Sequence, residues 1–148
     1  GFCLYKTLET KGPLLALKMA MDGANNIKEL IHHSDRGVQY CCGDYVKILN
    51  DAQIKISMTE KGDPLENPVA ERVNGILKIE LLEKAYPNFN IAQEAVAKAI
   101  SIYNYYRPHN SINDLTPVEA HQMNGYIPKK WKNYYQIKQQ KKEEVECI

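Results

Sequence analysis

Two acidic residues, Asp35 and Glu71, stand at positions suited to metal chemistry. Asp35 follows a short apolar run that predicts a strand, and Glu71 lies in the first turns of a predicted helix. Thirty-five residues separate them, and Lys78 follows Glu71 by seven, which is two helical turns along the same face. Carboxylate oxygens are the ligands that Mg²⁺ and Mn²⁺ prefer. We therefore predict that Asp35 and Glu71 bind a divalent metal ion for phosphoryl transfer on DNA.

The helix predicted to carry Glu71 has one polar and one apolar side. Asn67 suits its N-cap and Pro68 its first position, and the helical pattern continues to Ala85. The apolar side consists of Val69, Val73 and Ile76, and the polar side of Glu71, Asn74, Gly75 and Lys78. We expect the apolar side to pack against the protein, which leaves the polar side available to a ligand.

Basic and polar side chains near Glu71 suit contacts with DNA phosphates. We predict that Lys78, Arg72 and Asn74 bind DNA from this helix, together with Lys61 from the polar loop before it. The formal net charge of the chain is only +1, so affinity for DNA has to come from clustered cations rather than from overall charge.

Composition places the chain among ordinary globular proteins. Its 148 residues fit one domain with a tail, and 44% hydrophobic with 25% charged residues exclude wholesale disorder. No apolar run approaches the ~18–20 residues of a membrane helix, and the N-terminus lacks a signal pattern, so we expect a cytosolic protein.

The four cysteines, Cys3, Cys41, Cys42 and Cys147, form no CxxC pair, and we expect them to be reduced. A zinc site that combines His32 and His33 with Cys41 and Cys42 is an alternative use of these residues, but the spacing fits none of the usual zinc-finger patterns. The two histidines are better interpreted as strand residues than as ligands.

Hydrophobic periodicity predicts alternating strands and helices. Strands are expected at 1–6, 28–33 and 54–58, and helices at 13–21 and 42–52, followed after the Glu71 helix by helices near 92–106 and from Pro117. This order is typical of parallel strands covered by helices, an α/β architecture with its site at the carboxyl ends of the strands. Residues 1–121 are assigned to the core and residues 122–148 to a C-terminal extension.

Taken singly, none of these residues identifies a function. An acidic residue on a helix is most often a solvated surface group, and Lys78 alone would be an ordinary exposed lysine. The bottom-up argument is therefore permissive, and it leaves a non-catalytic binding module open beside a metal-dependent enzyme.

Three segments together resemble a known family: HHSDRGVQY at 32–40, KGDPLENPVAERVNGILKIEL at 61–81 and YNYYRPHNSINDLTPVEA at 103–120. They are similar, in order and spacing, to insertion-sequence transposases of the retroviral-integrase superfamily, the DDE recombinases. The resemblance implies that Asp35 is the second metal-binding aspartate and Glu71 the catalytic glutamate. It also implies that Lys78 contacts transposon-end DNA and that residues 107–109 are a structural signature.

The resemblance further implies a three-layer RNase H-like (integrase core) fold and a parent enzyme that cleaves and joins DNA with Mg²⁺ or Mn²⁺. The expected partners are transposon-end and target DNA and further copies of the chain, in the bacterial cytoplasm at the nucleoid. A nuclease of the same fold that acts on RNA in hybrids fits the lysine and the residues 107–109 less well.

The chain departs from the family pattern at its beginning. The first family aspartate precedes the second by several tens of residues, and here Asp22, at the end of a predicted helix, is the only aspartate before Asp35. We therefore expect an N-terminally truncated core that lacks the first strands and is inactive alone, with its sheet edge covered by another copy or by the tail. The alternative is a non-catalytic DNA-binding or oligomerisation remnant of a transposase.

Overall fold

A computed structural model describes residues 1–24, 26–60 and 64–130, and for Pro64 only the backbone. The chain divides into two compact units, Gly1–Gln93 and Glu94–Ile148. The boundary falls inside a long helix. The predicted boundary between core and extension after residue 121 stays a prediction.

The first unit is built around a two-stranded parallel sheet. Its elements are helix α1 (Lys11–Asp22), strand β1 (Ile31–Ser34), helix α2 (Val38–Cys41), helix α3 (Gly43–Asp51) and strand β2 (Lys55–Met58). Ile31 pairs with Lys55 and Ser34 with Met58, so both strands end at the same edge of the sheet. The predicted parallel strands and their two amphipathic helices are confirmed, although β1 begins three residues later than expected because Lys28 and Glu29 form a turn.

Apolar residues from α1, α3 and the start of β2 form the core of the first unit. Leu17, Tyr45, Leu49 and Ile54 are buried together, and Leu49 is the most enclosed of them at 1% exposure. The helical spacing of Tyr45 and Leu49 puts both on the side of α3 that faces the core.

The helix that carries Glu71 differs from the prediction in two ways. A 3₁₀ turn (Pro64–Glu66) precedes α4 (Pro68–Ile76), which passes into a π-helical segment (Leu77–Leu81) rather than continuing as an α-helix to residue 85. Leu82 donates its backbone N–H to the carbonyl of Leu77 at 2.9 Å, the wider spacing of a π turn. Asn67 occupies the predicted N-cap position, but its side chain makes no capping bond.

The predicted apolar side of α4 is only partly buried. Ile76 is 2% exposed and Val73 is half-buried, whereas Val69 is 75% exposed, so the prediction for Val69 was wrong. A helical pattern indicates direction around the axis, but it does not indicate how far along the axis the core extends. Val69 lies in the first turn of α4, outside the part of the helix that packs against the core.

The predicted strand at residues 1–6 was also wrong. This segment has no strand structure, and Phe2 donates its backbone N–H to the sulfur of Met19 on α1 at 3.5 Å. A strand needs a neighbour to accept and donate its backbone hydrogen bonds, and among the described residues β1 and β2 pair only with each other. The segment therefore lies against a helix instead of extending the sheet.

Helix α5 (Phe89–Tyr105) leads into the second unit. The side chain of Asn88 accepts the backbone N–H of Ile91 at 3.0 Å, as expected of a capping asparagine. Beyond α5, His109 and Leu115 form an antiparallel bridge that encloses a 3₁₀ turn (Asn110–Ile112). In the part of the chain that is described, no helix combines the length and the apolar character needed to cross a membrane.

Helix α6 (Pro117–Gln122) begins with a complete capping box. The backbone N–H of Glu119 donates to the hydroxyl of Thr116, and the backbone N–H of Thr116 donates to the Glu119 carboxylate at 2.8 Å. These bonds to the Thr116 backbone and side chain lower the pKa of Glu119. The helix predicted to start at Pro117 is thus confirmed.

Thr116→Ala is expected to lower the free energy of unfolding of the second unit by about 1 kcal/mol, because it removes the side-chain cap. Circular dichroism during urea denaturation measures the change. The deficit should shrink on acidification, since a carboxylate with a lowered pKa stabilises the folded state above its unfolded pKa and loses this contribution as it protonates. Thr7→Ala, at an exposed bend, is the control, and an equal loss in both variants would contradict the prediction.

Candidate metal and nucleic-acid site

Asp35 lies directly after β1, at the carboxyl edge of the sheet. Its Oδ1 accepts the backbone N–H of Gly37 at 3.0 Å, and the side chain is otherwise exposed. A Cβ added at Gly37 would lie 3.0 Å from Asp35 Oδ1 and 3.1 Å from Gln39 Oε1. Glycine at this position therefore lets the chain turn closely around the Asp35 carboxylate.

Glu71 lies across a cleft from Asp35. The cleft encloses about 250 Å³ and is lined on one side by the end of β1, including Asp35, and on the other by one face of α4. The α4 side consists of Asn67, Ala70, Glu71 and Asn74, which recur at helical spacing. Two acids separated by thirty-five residues thus line a single cleft.

The floor of the cleft is a hydrogen-bonded aromatic cluster. His32 Nε2 and the Tyr45 hydroxyl are 3.0 Å apart, and the Tyr40 ring meets Tyr45 edge-on with centroids 5.4 Å apart. Burial lowers the pKa of His32, and it raises the pKa of Tyr45 to about 12, with smaller contributions from Tyr40 and Cys42. This cluster is therefore uncharged at neutral pH, so it does not offset negative charge on the acidic side chains beside it.

Tyr45 is expected to ionise at about pH 12, well above the ordinary tyrosine pKa, because the phenolate would be buried. Its neutral form stabilises the fold fully below the unfolded-state pKa, and this stabilisation is lost as the pH rises through the folded-state value. The absorbance of the phenolate during alkaline titration measures the effect. Tyr45→Phe should remove the latest step; a latest step that survives in this variant would assign it to another tyrosine.

The turn after β1 is tied to the end of β2. The Arg36 guanidinium donates through Nε to the carbonyl of Thr59 at 2.7 Å, and the Thr59 backbone N–H donates to the carbonyl of Ser34 at 3.0 Å. Asp35 lies between these two anchors in sequence. The partner of Arg36 lies twenty-three residues further along the chain, so no local sequence pattern indicates this hydrogen bond.

The four residues predicted to bind DNA differ in their position relative to the cleft. Asn74 lines the cleft with the two acids. Arg72 and Lys78 are exposed but do not line the cleft, and Lys61 lies outside the described residues. The structure thus brings Asn74 together with Asp35 and Glu71, and the DNA contacts of all four residues stay predictions.

The cleft contains oxygen donors of the kind that divalent metal ions prefer. Asp35 and Glu71 provide the hard oxygen donors that Mg²⁺ and Mn²⁺ select, and the amide of Asn74 adds a neutral one. Within residues 1–24, 26–60 and 64–130, no group of three or more His, Cys, Asp or Glu side chains is placed to hold a metal ion. The donor chemistry therefore fits such an ion, with two carboxylates rather than three, and the alternative zinc cluster is absent from the same residues.

Comparison with known proteins shows which proteins this chain is similar to. Residues 52–117 match the family described as "Integrase core domain", a segment that contains Glu71 and Lys78. The chain is 31% identical over 126 residues to the "Putative transposase for insertion sequence element IS986/IS6110" of Mycobacterium tuberculosis (strain ATCC 25177 / H37Ra), covering 80% of this chain and 45% of that protein. The chain thus spans about half the length of this curated relative.

Solved structures agree on the fold. The bovine immunodeficiency virus (BIV) integrase catalytic core domain aligns with a TM-score of 0.58 at 19% identity, covering 78% of this chain and 72% of that domain. The simian T-cell lymphotropic virus intasome in complex with PP2A regulatory subunit B56 gamma aligns with a TM-score of 0.67 at 18% identity, covering 84% and 45%. The chain therefore has the RNase H-like fold of integrase catalytic cores. Its resemblance to insertion-sequence transposases is confirmed.

Proposed function

We propose that this chain forms part of the catalytic core of a DDE transposase, whose parent enzyme cleaves transposon ends and joins them to target DNA. The observation that carries the proposal is the shared cleft of Asp35 and Glu71 at the carboxyl edge of a parallel sheet. Ligands bind at this edge in open α/β sheets. The transposase relative and the integrase-like fold support the same assignment.

In this proposal Asp35 and Glu71 hold Mg²⁺ or Mn²⁺. A bound divalent ion supplies charge stabilisation for the attacking and leaving oxygens of a phosphoryl transfer. The chain itself orients the donors: the Gly37 N–H fixes one oxygen of Asp35, and α4 presents Glu71 toward the sheet. The uncharged pair of His32 and Tyr45 brings no cation that would compete for the carboxylates.

DNA approaches this cleft from the exposed side of α4 in our proposal. Asn74 lies at the cleft, Arg72 and Lys78 are exposed on the same helical segment, and Lys61 precedes it in sequence. A Cβ added at Gly75 would meet nothing within 4 Å, so an approaching backbone finds open space there. We propose transposon-end and target DNA as ligands and further copies of the chain as partners.

A second candidate is a non-catalytic DNA-binding or oligomerisation module. It is supported by the two-carboxylate donor set, because no third acidic, histidine or cysteine ligand joins Asp35 and Glu71 among the described residues. Under either candidate we expect no strand transfer from this chain alone. Metal binding separates the two.

Titration with Mn²⁺, followed by the electron paramagnetic resonance of the free ion, tests the proposal. We expect the chain to bind Mn²⁺, and Asp35→Asn or Glu71→Gln to weaken binding by about tenfold or more, since each removes an anionic oxygen donor. Asp44→Asn, an exposed acid in the first turn of α3, should leave binding unchanged. Equal affinity in all four proteins would favour the non-catalytic module.

A further inference from the structure

His33 forms a hydrogen-bonded link from the sheet to the segment that starts α4. Its Nδ1 lies 2.9 Å from the hydroxyl of Ser57 on β2, and its Nε2 lies 3.0 Å from the backbone carbonyl oxygen of Glu66. Both ring nitrogens are therefore used, one within the sheet and one across the cleft opening. Glu66 ends the 3₁₀ turn, and α4 begins two residues later.

The chemistry of the two partners fixes the tautomer of His33. A carbonyl oxygen can only accept a hydrogen bond, so Nε2 must carry the proton in the bond to Glu66. In the neutral ring Nδ1 is then an acceptor, and the Ser57 hydroxyl donates to it. The ring thus joins β1, β2 and the start of α4 in one chain of hydrogen bonds.

The segment that starts α4 has a second hydrogen bond to the residues after β2, because the Glu66 carboxylate accepts the backbone N–H of Glu60 at 2.6 Å. The side chain of Asn67 makes no capping bond, and the main contacts of α4 are with the 3₁₀ turn before it and the π segment after it. Glu71 follows in the first turn, where its backbone N–H donates to the carbonyl of Asn67 at 3.2 Å. Glu66 thus lies five residues before Glu71, directly ahead of the helix that carries it.

We infer that His33 is a positioning residue that holds the Glu71 carboxylate opposite Asp35 by fixing the start of α4 to the sheet. Asp35 follows the same strand, two residues after His33. The His33 side chain therefore fixes the start of the helix that carries Glu71 relative to the strand that precedes Asp35. The expected effect of His33 on metal binding rests on the proposed function, whereas its effect on the position of α4 is independent of that function.

Four variants of the full chain separate the two bonds of His33. His33→Ala removes both, His33→Gln keeps a donor near the Nε2 position, and His33→Asn keeps only a group near the Nδ1 position. Ser57→Ala removes the Ser57 bond and leaves the Glu66 bond. If His33 fixes the start of α4, the position of α4 in His33→Gln and Ser57→Ala should resemble that in the wild type. In His33→Ala and His33→Asn it should differ.

Nuclear magnetic resonance provides a measurement that needs no metal. We expect the ¹⁵N shifts of the His33 ring to report an Nε2-protonated tautomer, and the amide resonances of residues 66–74 to move in His33→Ala and His33→Asn but not in His33→Gln. His121→Ala, an exposed histidine of α6, is the control. An Nδ1-protonated ring, or equal shifts in the Gln and Asn variants, would overturn the inference.

Mn²⁺ affinity provides the second measurement. We expect it to fall by about fivefold in His33→Ala and His33→Asn, the effect of one ordinary hydrogen bond, and to recover in His33→Gln. If the wild type binds Mn²⁺ through Asp35 and Glu71 but His33→Ala binds equally well, the inference about His33 fails and the proposed function stands. If the wild type binds no Mn²⁺, the proposed function fails, and the amide shifts alone decide the role of His33.

Discussion

Glu71→Gln is expected to reduce strand transfer by about a thousandfold in a transposase that includes this chain in its catalytic core. A carboxylate that holds a catalytic metal is worth several kcal/mol of transition-state stabilisation, and each ~1.4 kcal/mol corresponds to a tenfold rate change. The variant keeps the size of the side chain and removes its charge. Joining of labelled transposon-end DNA to a target plasmid in Mg²⁺ or Mn²⁺ measures the rate.

The matched control for this measurement is Glu94→Gln, which removes the same charge from an exposed position of α5. It should leave the rate within the error of the assay. Binding of end DNA by the Glu71 variant should be nearly retained, because phosphate contacts come from other side chains in the proposal. If Glu71→Gln were as active as Glu94→Gln, Glu71 would not be a catalytic residue.

Leu49→Ala is expected to lower the free energy of unfolding of the first unit by about 2–5 kcal/mol. Leu49 is 1% exposed and packs with Leu17, Tyr45 and Ile54, so its removal leaves a cavity between α1, α3 and β2. A loss of this size is a large part of the stability of a small domain. Urea denaturation followed by circular dichroism measures it.

Val38→Ala removes apolar atoms from a side chain that is 81% exposed, and it should change the stability by no more than about 0.5 kcal/mol. The contrast between Leu49 and Val38 tests whether the four-residue core carries the first unit. Similar losses in both variants would mean that the exposed face around Val38 is packed in solution, for example against another copy.

The parallel sheet and its helices could be predicted because hydrophobic periodicity is a local property. Helix α3 and strand β2 lie within the predicted segments 42–52 and 54–58, and the alternation of elements implied parallel strands. The strand at residues 1–6 failed for the opposite reason. β-favouring residues indicate a strand only where a neighbouring strand completes the hydrogen bonds.

The two acids of the site were accessible to the same reasoning. Asp35 follows a strand and Glu71 opens a helix, and in parallel α/β folds such ends converge at one edge of the sheet. The sequence did not indicate which polar or cationic side chains lie beside these two acids. Arg72 and Asn74 are two residues apart, yet only Asn74 lines the cleft, because a helix turns neighbouring positions to different sides.

His33 shows what a sequence pattern cannot supply. It stands beside Asp35 in the motif, but its role depends on the carbonyl of Glu66, thirty-three residues further along the chain. A backbone carbonyl carries no sequence signature, since every residue has one. The pattern therefore indicated a strand histidine, which is correct for its location on β1 and incomplete for its contacts.

The π-helical segment at Leu77–Leu81 affects how this helix can change in length over evolution. A π turn accommodates about one residue more than an α turn, as the bond from Leu82 to Leu77 shows. Deletion of one residue here would let the α-helix of Pro68–Ile76 continue without a break while leaving Glu71 untouched. Because the wider turn takes up the extra residue, the residues after such a deletion would keep their directions around the axis, and Asp35 and Glu71, the proposed metal ligands, would stay in place.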